Sequence, residues 1–559
     1  MTGKLFFIFT LALLLAGLGA WALAVRYRHA MRRLMSAPTA TATALALGTV
    51  AVASAGHRPA PPRPVSIADN RHEGRRIAAL LVVLSMLMAA SSASLWLVVA
   101  FPGEPFAPKR AAVLALMQVW PVLPALGLLW HWRLPRVFAA LGVWFLLFFA
   151  VGLWRSIEPR PLELLAGTAA LVGLPLALVT VLCWGQATRA VAPWLLPLFV
   201  LLVWASVAGL DALGVLVEQR SPLVMWLAHG LGAHAAMALF AVLPWLVAWW
   251  PAQRLGRALG AAYAAKQLSE LLVLFTAVWA IALLMQALQV AGSAGAGAAL
   301  LQFAPLAWVP LGVAVWRRRA EAGRPPTLLV LRVFQRDAAV QRLFDDVVER
   351  WRVCGNTVLI AGTDLADRTL DADDIYTFLD GGLADRCIRS PAAVAPRLAA
   401  FDLARDACGR FRVNECYCHD TAWREALAAL VEMSDVVLMD LRGFHVKNEG
   451  CRHELGVLAR SPRRLRVVVL FDAATDRGAA AAAIGEVGAA AAAIGEGGDA
   501  AAAIGEGSAD PNADTRFAWV EVPRIDATSR RAVFARLFEA EPLRGVAPRA
   551  APQPIVPKN

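Results

Sequence analysis

The chain has 559 residues, of which 58% are hydrophobic and only 17% charged, and Lys and Arg exceed Asp and Glu by 12. So apolar a composition excludes a single soluble globule, and 20 Trp against four Tyr suit a membrane protein with interfacial indoles. The basic excess falls mostly in short loops beside apolar spans, where Lys and Arg mark the cytoplasmic side, so no nucleic-acid partner is expected.

A membrane span needs about 20 apolar residues. Nine segments meet this, near 5–25, 77–101, 111–132, 136–154, 162–184, 193–217, 223–250, 270–291 and 297–316. The first reads as a signal anchor, because it lacks a clear basic n-region and is followed by Arg26, Arg28, Arg32 and Arg33. The stretch 37–56 is rich in Ala and Thr, with few large side chains. Counting it as a span would break the alternation of charge, so it is expected to be non-spanning or interfacial. With the N-terminus outside, the basic loops around Arg58–Arg76, Arg133, Arg189, Arg254–Lys266 and Arg317–Arg319 all face the cytoplasm. The opposite loops hold only Lys109, Arg110, Arg155, Arg160 and Arg220. This predicts a multi-pass inner-membrane protein, in contact with the lipid bilayer, whose residues after Trp316 are cytoplasmic. Asp211, His229 and His234 are the candidates for intramembrane charge. The two His lie roughly 140° apart on a helix and share no face, and no repeat of broken helices is evident. Anchor or sensor is therefore the expected role of residues 1–316, with transport as the alternative.

A linker, 317–326, precedes a change of pattern. "TLLVLRVF" (327–334), "TVLIAG" (357–362), "DVVLMDL" (435–441), "RLRVVVLF" (464–471) and "RFAWVEV" (516–522) read as strands. Between the first two, Val340, Leu343, Phe344, Val347, Val348 and Trp351 form an amphipathic helical stripe. Residues 363–420 are expected to hold a loop and a short helix, after which Asp420 is placed to cap a helix through Trp423, Leu427, Leu430 and Val431. The expected fold is thus an α-helical polytopic membrane domain followed by a cytosolic α/β domain over 327–541, a parallel sheet flanked by helices. Its ligands would bind beyond the carboxyl ends of the strands. Neither a G-x-G-x-x-G after the first strand nor a P-loop is present. A ten-residue repeat around "AAAAIGE" recurs over roughly 480–509, within an Ala/Gly-rich stretch, 474–515, that is expected to be a flexible insert, since Gly in every unit disfavours a long helix. Residues 542–559 read as a disordered tail.

"NEGCRHELGVL" (448–458) carries the densest chemistry. Asn448 can cap a helix on which Cys451, Leu455 and Leu458 form the buried stripe, leaving Glu454 at its margin. A carboxyl so placed is partly desolvated and its pKa is raised, which suits a structural cap as well as chemistry. Cys408, Cys416, Cys418 and His419 lack the paired spacing of a zinc site, so no metal is assigned. Cys416 and Cys418 are expected to share one face of a strand, and the six Cys from Cys354 to Cys451 to be free thiols.

Residues 327–472 resemble a Toll/interleukin-1 receptor (TIR) domain or a close Rossmann-like relative among bacterial signalling domains. The resemblance rests on "RVFQRD" (332–337), on "SDVVLMDLRGFHVKNEGCRHEL" (434–455) and on "VVVLF" (467–471). Gly450 stands where Trp is common in that family, and the segment 363–420 is longer and richer in Cys than the usual connection. The resemblance implies that Glu454 is catalytic in cleaving the nicotinamide–ribose bond of NAD, a substrate rather than a permanently bound cofactor. Arg332, Arg336, Asp337, Arg442 and Lys447, near strand ends, would then face the nucleotide. Many TIR domains are instead non-enzymatic modules that self-associate, so a membrane-tethered signalling protein without activity is the other expectation.

Overall fold

The computed structural model describes residues 2–36, 61–155, 161–169, 191–318, 323–332, 342–361, 372–419, 421–462, 465–494 and 516–538, with isolated positions between 173 and 180. The expectations for 37–56 and for most of 162–184 fall outside these residues.

The helical half comprises α1 (Thr2–Ser36), α2 (Ile67–Ala100), α3 (Pro108–Gln118), α4 (Val122–Leu129), α5 (Leu134–Arg155), α6 (Pro161–Thr168), α7 (Ala192–Glu218), α8 (Pro222–Leu231), α9 (Ala233–Ala264), α10 (Glu270–Leu301) and α11 (Trp308–Arg317). Among the described residues, six helices are long and apolar enough to cross a membrane: Thr10–Met35, α2, Leu134–Trp154, α7, α9 and Gly297–Arg317. The pair α3 and α4, bent by 41°, makes a seventh if it is one span. The apolar run 223–250 is divided at Gly232, whose φ of 85° is closed to most side chains, into the short α8 and the long α9. Gly295 likewise breaks α10. Polar side chains join helices inside the bundle. Ser92 Oγ donates to Gln286 Oε1 at 2.7 Å, and Gln286 Nε2 donates to Gln302 Oε1 at 2.8 Å. Such bonds act as interhelical glue where lipid offers no partners.

The second half is a seven-stranded sheet, all parallel: β1 (Thr327–Arg332), β2 (Asn356–Ala361), β3 (Cys387–Ile388), β4 (Val413–Cys418), β5 (Val436–Asp440), β6 (Arg466–Phe471) and β7 (Phe517–Glu521), in the order β3-β4-β2-β1-β5-β6-β7. Around it lie α12 (Ala372–Leu379), α13 (Val394–Ala399), α14 (Trp423–Met433), α15 (Glu449–Arg460), α16 (Arg477–Ile494) and α17 (Ala527–Leu537). Strands covered on both faces are buried along their whole length, as β1 and β5 are, and their central residues are apolar because no face meets water. On one face, Leu329, Leu331, Val437, Met439, Val467 and Val469 pack with α14, α15 and the start of α16. On the other, Leu328, Val330, Leu438 and Val468 pack with helical residues 342–351 and with α17.

The five expected strands are all present. The segment 363–420 departs from its reading as loop and short helix, because it also contributes β3 and β4, which extend the sheet beyond β2. Without that addition the order β2-β1-β5-β6-β7 is the doubly wound arrangement in which the first strand lies next to the third. The Ala/Gly repeat also differs from expectation. Its first units form α16, the crossover between β6 and β7, with Ala480 and Ala483 buried. The strong helix propensity of Ala offsets the Gly in each unit. Asp476 Oδ1 accepts from the Ala479 backbone N–H at the helix start. The cap position of α14 is Ala422, without a side-chain cap bond, rather than Asp420, which lies outside the described residues.

The two halves are not merely tethered. Ala20, Ala24, Tyr27 and Met31, spaced along one stripe of α1, belong to the same core as Leu328, Val330 and Leu359 of the sheet. Tyr27 meets Phe378 edge-on at 6.0 Å, and its O–H points to the Tyr417 hydroxyl 3.5 Å away. The basic ends of other helices meet the same domain. Asn70 donates to the Arg350 carbonyl at 2.9 Å, Arg412 donates to the Tyr263 carbonyl at 2.6 Å, and Lys266 pairs with Asp402. Glu349 accepts from Arg352 and Arg410 beside the ends of α4 and α10. Met31→Ala is expected to destabilise the full chain by about 2–5 kcal/mol, as truncation of a fully buried side chain does. Thermal unfolding in detergent checks this, and an unchanged midpoint would mean that α1 only rests on the sheet.

Candidate active site at the ends of β1 and β5

β1 leads to β2 on one side and β5 leads to β6 on the other, so the chain leaves the carboxyl ends of these neighbouring strands in opposite directions. Such a switch point opens a crevice where doubly wound domains bind ligands. Arg332 ends β1 opposite Asp440, which ends β5, in direct register. Both are buried.

The turn after β5 is held by charge. Arg442 donates from Nε and Nη2 to the two carboxylate oxygens of Asp440, at 2.8 and 2.7 Å. This forked pair is enclosed, and breaking one side would leave an uncompensated charge. Gly443, at φ 70°, makes the following tight turn and donates its backbone N–H to Asp472 Oδ1 at 2.9 Å. Asn448 stands at the N-cap of α15, as expected, but its side chain does not cap the helix. It turns back to accept from the His445 backbone N–H at 2.8 Å.

On α15, Cys451, Leu455 and Leu458 form the buried stripe. Glu454 lies deeper than the margin its spacing predicts, at 4% exposure. One of its carboxyl oxygens, Oε2, is enclosed without a hydrogen-bond partner. Burial raises its pKa to about 8, against the opposing pull of the Arg332 charge. Cys451 sits one turn earlier with its Sγ 3.8 Å from the Arg332 carbonyl, and burial pushes its thiol up, so it is no activated nucleophile. His453 meets the Trp423 ring edge-on at 5.1 Å, and burial lowers its pKa.

Of the residues singled out from sequence, Arg332, Arg442 and Glu454 are thus brought to one strand edge. Lys447 is exposed on the loop after β5, and Arg336 and Asp337 lie outside the described residues. Asp440 begins 440–444, one of the strand ends where ligands are expected, whereas Asp472, which follows β6, was not singled out although the same rule finds it. Two described cavities lie elsewhere, one beside β4 and one at the ends of α4 and α10. Among the described residues no group of three or more His, Cys, Asp or Glu is placed to hold a metal ion. Cys416 and Cys418 do share a face, with their sulfurs 3.5 Å apart, and the six described cysteines are buried free thiols. No family model, no curated protein and no solved structure matches this chain.

A carboxyl whose folded pKa lies above its unfolded value keeps its proton in the fold where the unfolded chain has lost it. Stability from Glu454 is therefore full below about pH 4.5 and falls as pH rises toward 8, by about 1.4 kcal/mol per unit, then levels off. Glu454→Gln should remove this slope and raise the unfolding midpoint above pH 8. A variant that melts like the parent at every pH would mean that the carboxyl is not desolvated.

Proposed function

We propose that this protein is a membrane-tethered effector whose α/β domain, on the cytoplasmic side, binds and cleaves NAD or a related nucleotide at the ends of β1 and β5. The observation that carries this reading is the Glu454 carboxyl, buried and with an unpartnered oxygen, on the helix beside the switch point between β1 and β5. The TIR-like run 434–455 and the order β2-β1-β5-β6-β7 support it.

In this reading the nicotinamide–ribose bond lies against Glu454. The pyridinium ring of bound NAD carries a positive charge, which favours the ionised carboxyl and draws its proton off. As the C1′–N bond breaks, its electron pair leaves with nicotinamide, and the charge moves to the ribose as an oxocarbenium ion. The Glu454 carboxylate stabilises that charge. Water then adds to C1′ and loses a proton, giving ADP-ribose, nicotinamide and one H⁺. Arg332 is placed near enough to act on Glu454 and would face the nucleotide phosphates. Arg442 serves chiefly to hold Asp440 and the turn.

The near-complete enclosure of Glu454 favours a second reading, in which the domain is a non-enzymatic interaction module that self-associates and Glu454 is a protonated core residue. The two readings separate in the full chain held in lipid nanodiscs, assayed for nicotinamide release by chromatography between pH 6 and 9. The enzyme reading expects kcat/KM to rise with pH and level off near pH 8. It expects Glu454→Gln to lower the rate by roughly 100-fold or more. Absence of nicotinamide at every pH and protein density would leave the interaction module.

A further inference from the structure

Gln118 ends α3, Gln302 stands at the C-cap of α10, and Gln286 of α10 joins the two. Gln118 Nε2 donates to Gln286 Oε1 at 3.1 Å, and the Ser92 hydroxyl donates to the same oxygen. Gln286 Nε2 donates to the Ser92 carbonyl at 3.0 Å and to Gln302 Oε1. Ser92, Gln286 and Gln302 are buried. The Ser92 carbonyl fixes which way the Gln286 amide faces, and Gln286 in turn fixes Gln118. That orientation leaves Gln118 Oε1 enclosed without a donor among the described residues. With α3 and α4 as one span, the 11 residues of α3 rise about 16 Å and put Gln118 roughly halfway through the hydrocarbon core. Both glutamines precede a break that the sequence builds in the same way: Gln118-Val119-Trp120-Pro121 and Gln302-Phe303-Ala304-Pro305. Pro has no N–H with which to continue a helix. The amide after each Pro turns to the residue three before it, Val122 to Val119 at 3.1 Å and Leu306 to Phe303 at 3.0 Å, rather than to the glutamine carbonyl. Each helix end therefore keeps carbonyls that its own ladder does not fill, at the negative end of its dipole.

We propose that these two helix ends form a binding site for a small monovalent cation of the sodium class. Its ligands are neutral oxygens: the Gln118 side-chain oxygen and the carbonyls that the breaks after Gln118 and Gln302 leave unfilled. Gln286 and Ser92 spend their side-chain donors inside the network, so what the cluster has in excess is acceptors. An unfilled acceptor at membrane depth is costly, because no water reaches it. An anion would face only oxygens. A calcium or magnesium ion calls for carboxylates, and none belongs to this network among the described residues. The partial negative charge of two helix C-termini suits a single positive one. Interrupted membrane helices hold monovalent cations through unwound carbonyls and half-helix C-terminal ends in the same way. Occupancy would tie α2, α3 and α10 together across Gly295, where α10 is broken.

The test equilibrates the full chain, in phosphatidylcholine nanodiscs, with radioactive sodium at constant ionic strength. Saturable binding is expected, displaced by unlabelled sodium and not by choline. Gln118→Met keeps the length of the side chain but removes its acceptor, and should weaken sodium binding by roughly tenfold or more. Gln118→Glu adds a negative charge at the same place and should tighten it. Gln118 is only half-buried, so both variants keep the fold, which circular dichroism checks. Thermal unfolding gives a second readout that needs only the parent: its midpoint should be higher in sodium than in choline. The proposal is overturned if the parent shows neither saturable sodium binding nor a higher midpoint in sodium, if choline displaces sodium as well as sodium itself does, or if Gln118→Met binds sodium like the parent.

Discussion

The contact between α1 and the sheet organises this molecule. At 35 residues, α1 is about 52 Å long, whereas the hydrocarbon core is about 30 Å thick. One stripe of its C-terminal part lies on the sheet. Ala20 and Ala24 are small enough to let the helix close on the strands, and Tyr27 and Met31 fill the space beyond them. One face of the sheet is thereby covered in part by a helix that begins in the membrane half. A separate α/β domain on a flexible leash would need no such stripe.

The consequence for the interface is electrostatic. Where helix ends meet the sheet domain, a basic residue finds an acidic partner in the second half, Lys266 with Asp402. The exchange runs both ways, since Glu73 of α2 lies 3.8 Å from Arg405. Charges enclosed between two bodies specify their relative placement more than they stabilise it, because a mismatch leaves a buried charge alone. The cavity beside β4, lined by Asp402 and Arg412, adjoins this junction. The Glu454 site lies beyond it, at the carboxyl edge of the strands.

Glu454 poses the opposite arrangement. Its carboxyl is buried with an oxygen unpaired, which no structural economy requires, since a Gln or Leu would fill the place without the desolvation penalty. A group held so far from its solution pKa is a common mark of a working site. The neighbouring Asp440–Arg442 pair shows the usual solution for a buried charge, and Glu454 does not adopt it.

Periodicity and composition alone determined the division into an apolar helical half and a parallel α/β half, the five core strands, and the buried stripe of α15. These are local properties: an apolar run, a period of 3.6, a strand with no polar face. The same local reasoning missed β3 and β4, because a two-residue strand and a Cys-rich one carry little pattern of their own and exist through pairing with β2. It also made the Ala/Gly repeat a loop, where the crossover from β6 to β7 demanded a helix. Only the tertiary structure decided how deep Glu454 lies, that Arg332 and Asp440 face each other, and that α1 lies on the sheet. Each depends on residues more than 100 positions apart being brought into contact, and no spacing within a single segment encodes that.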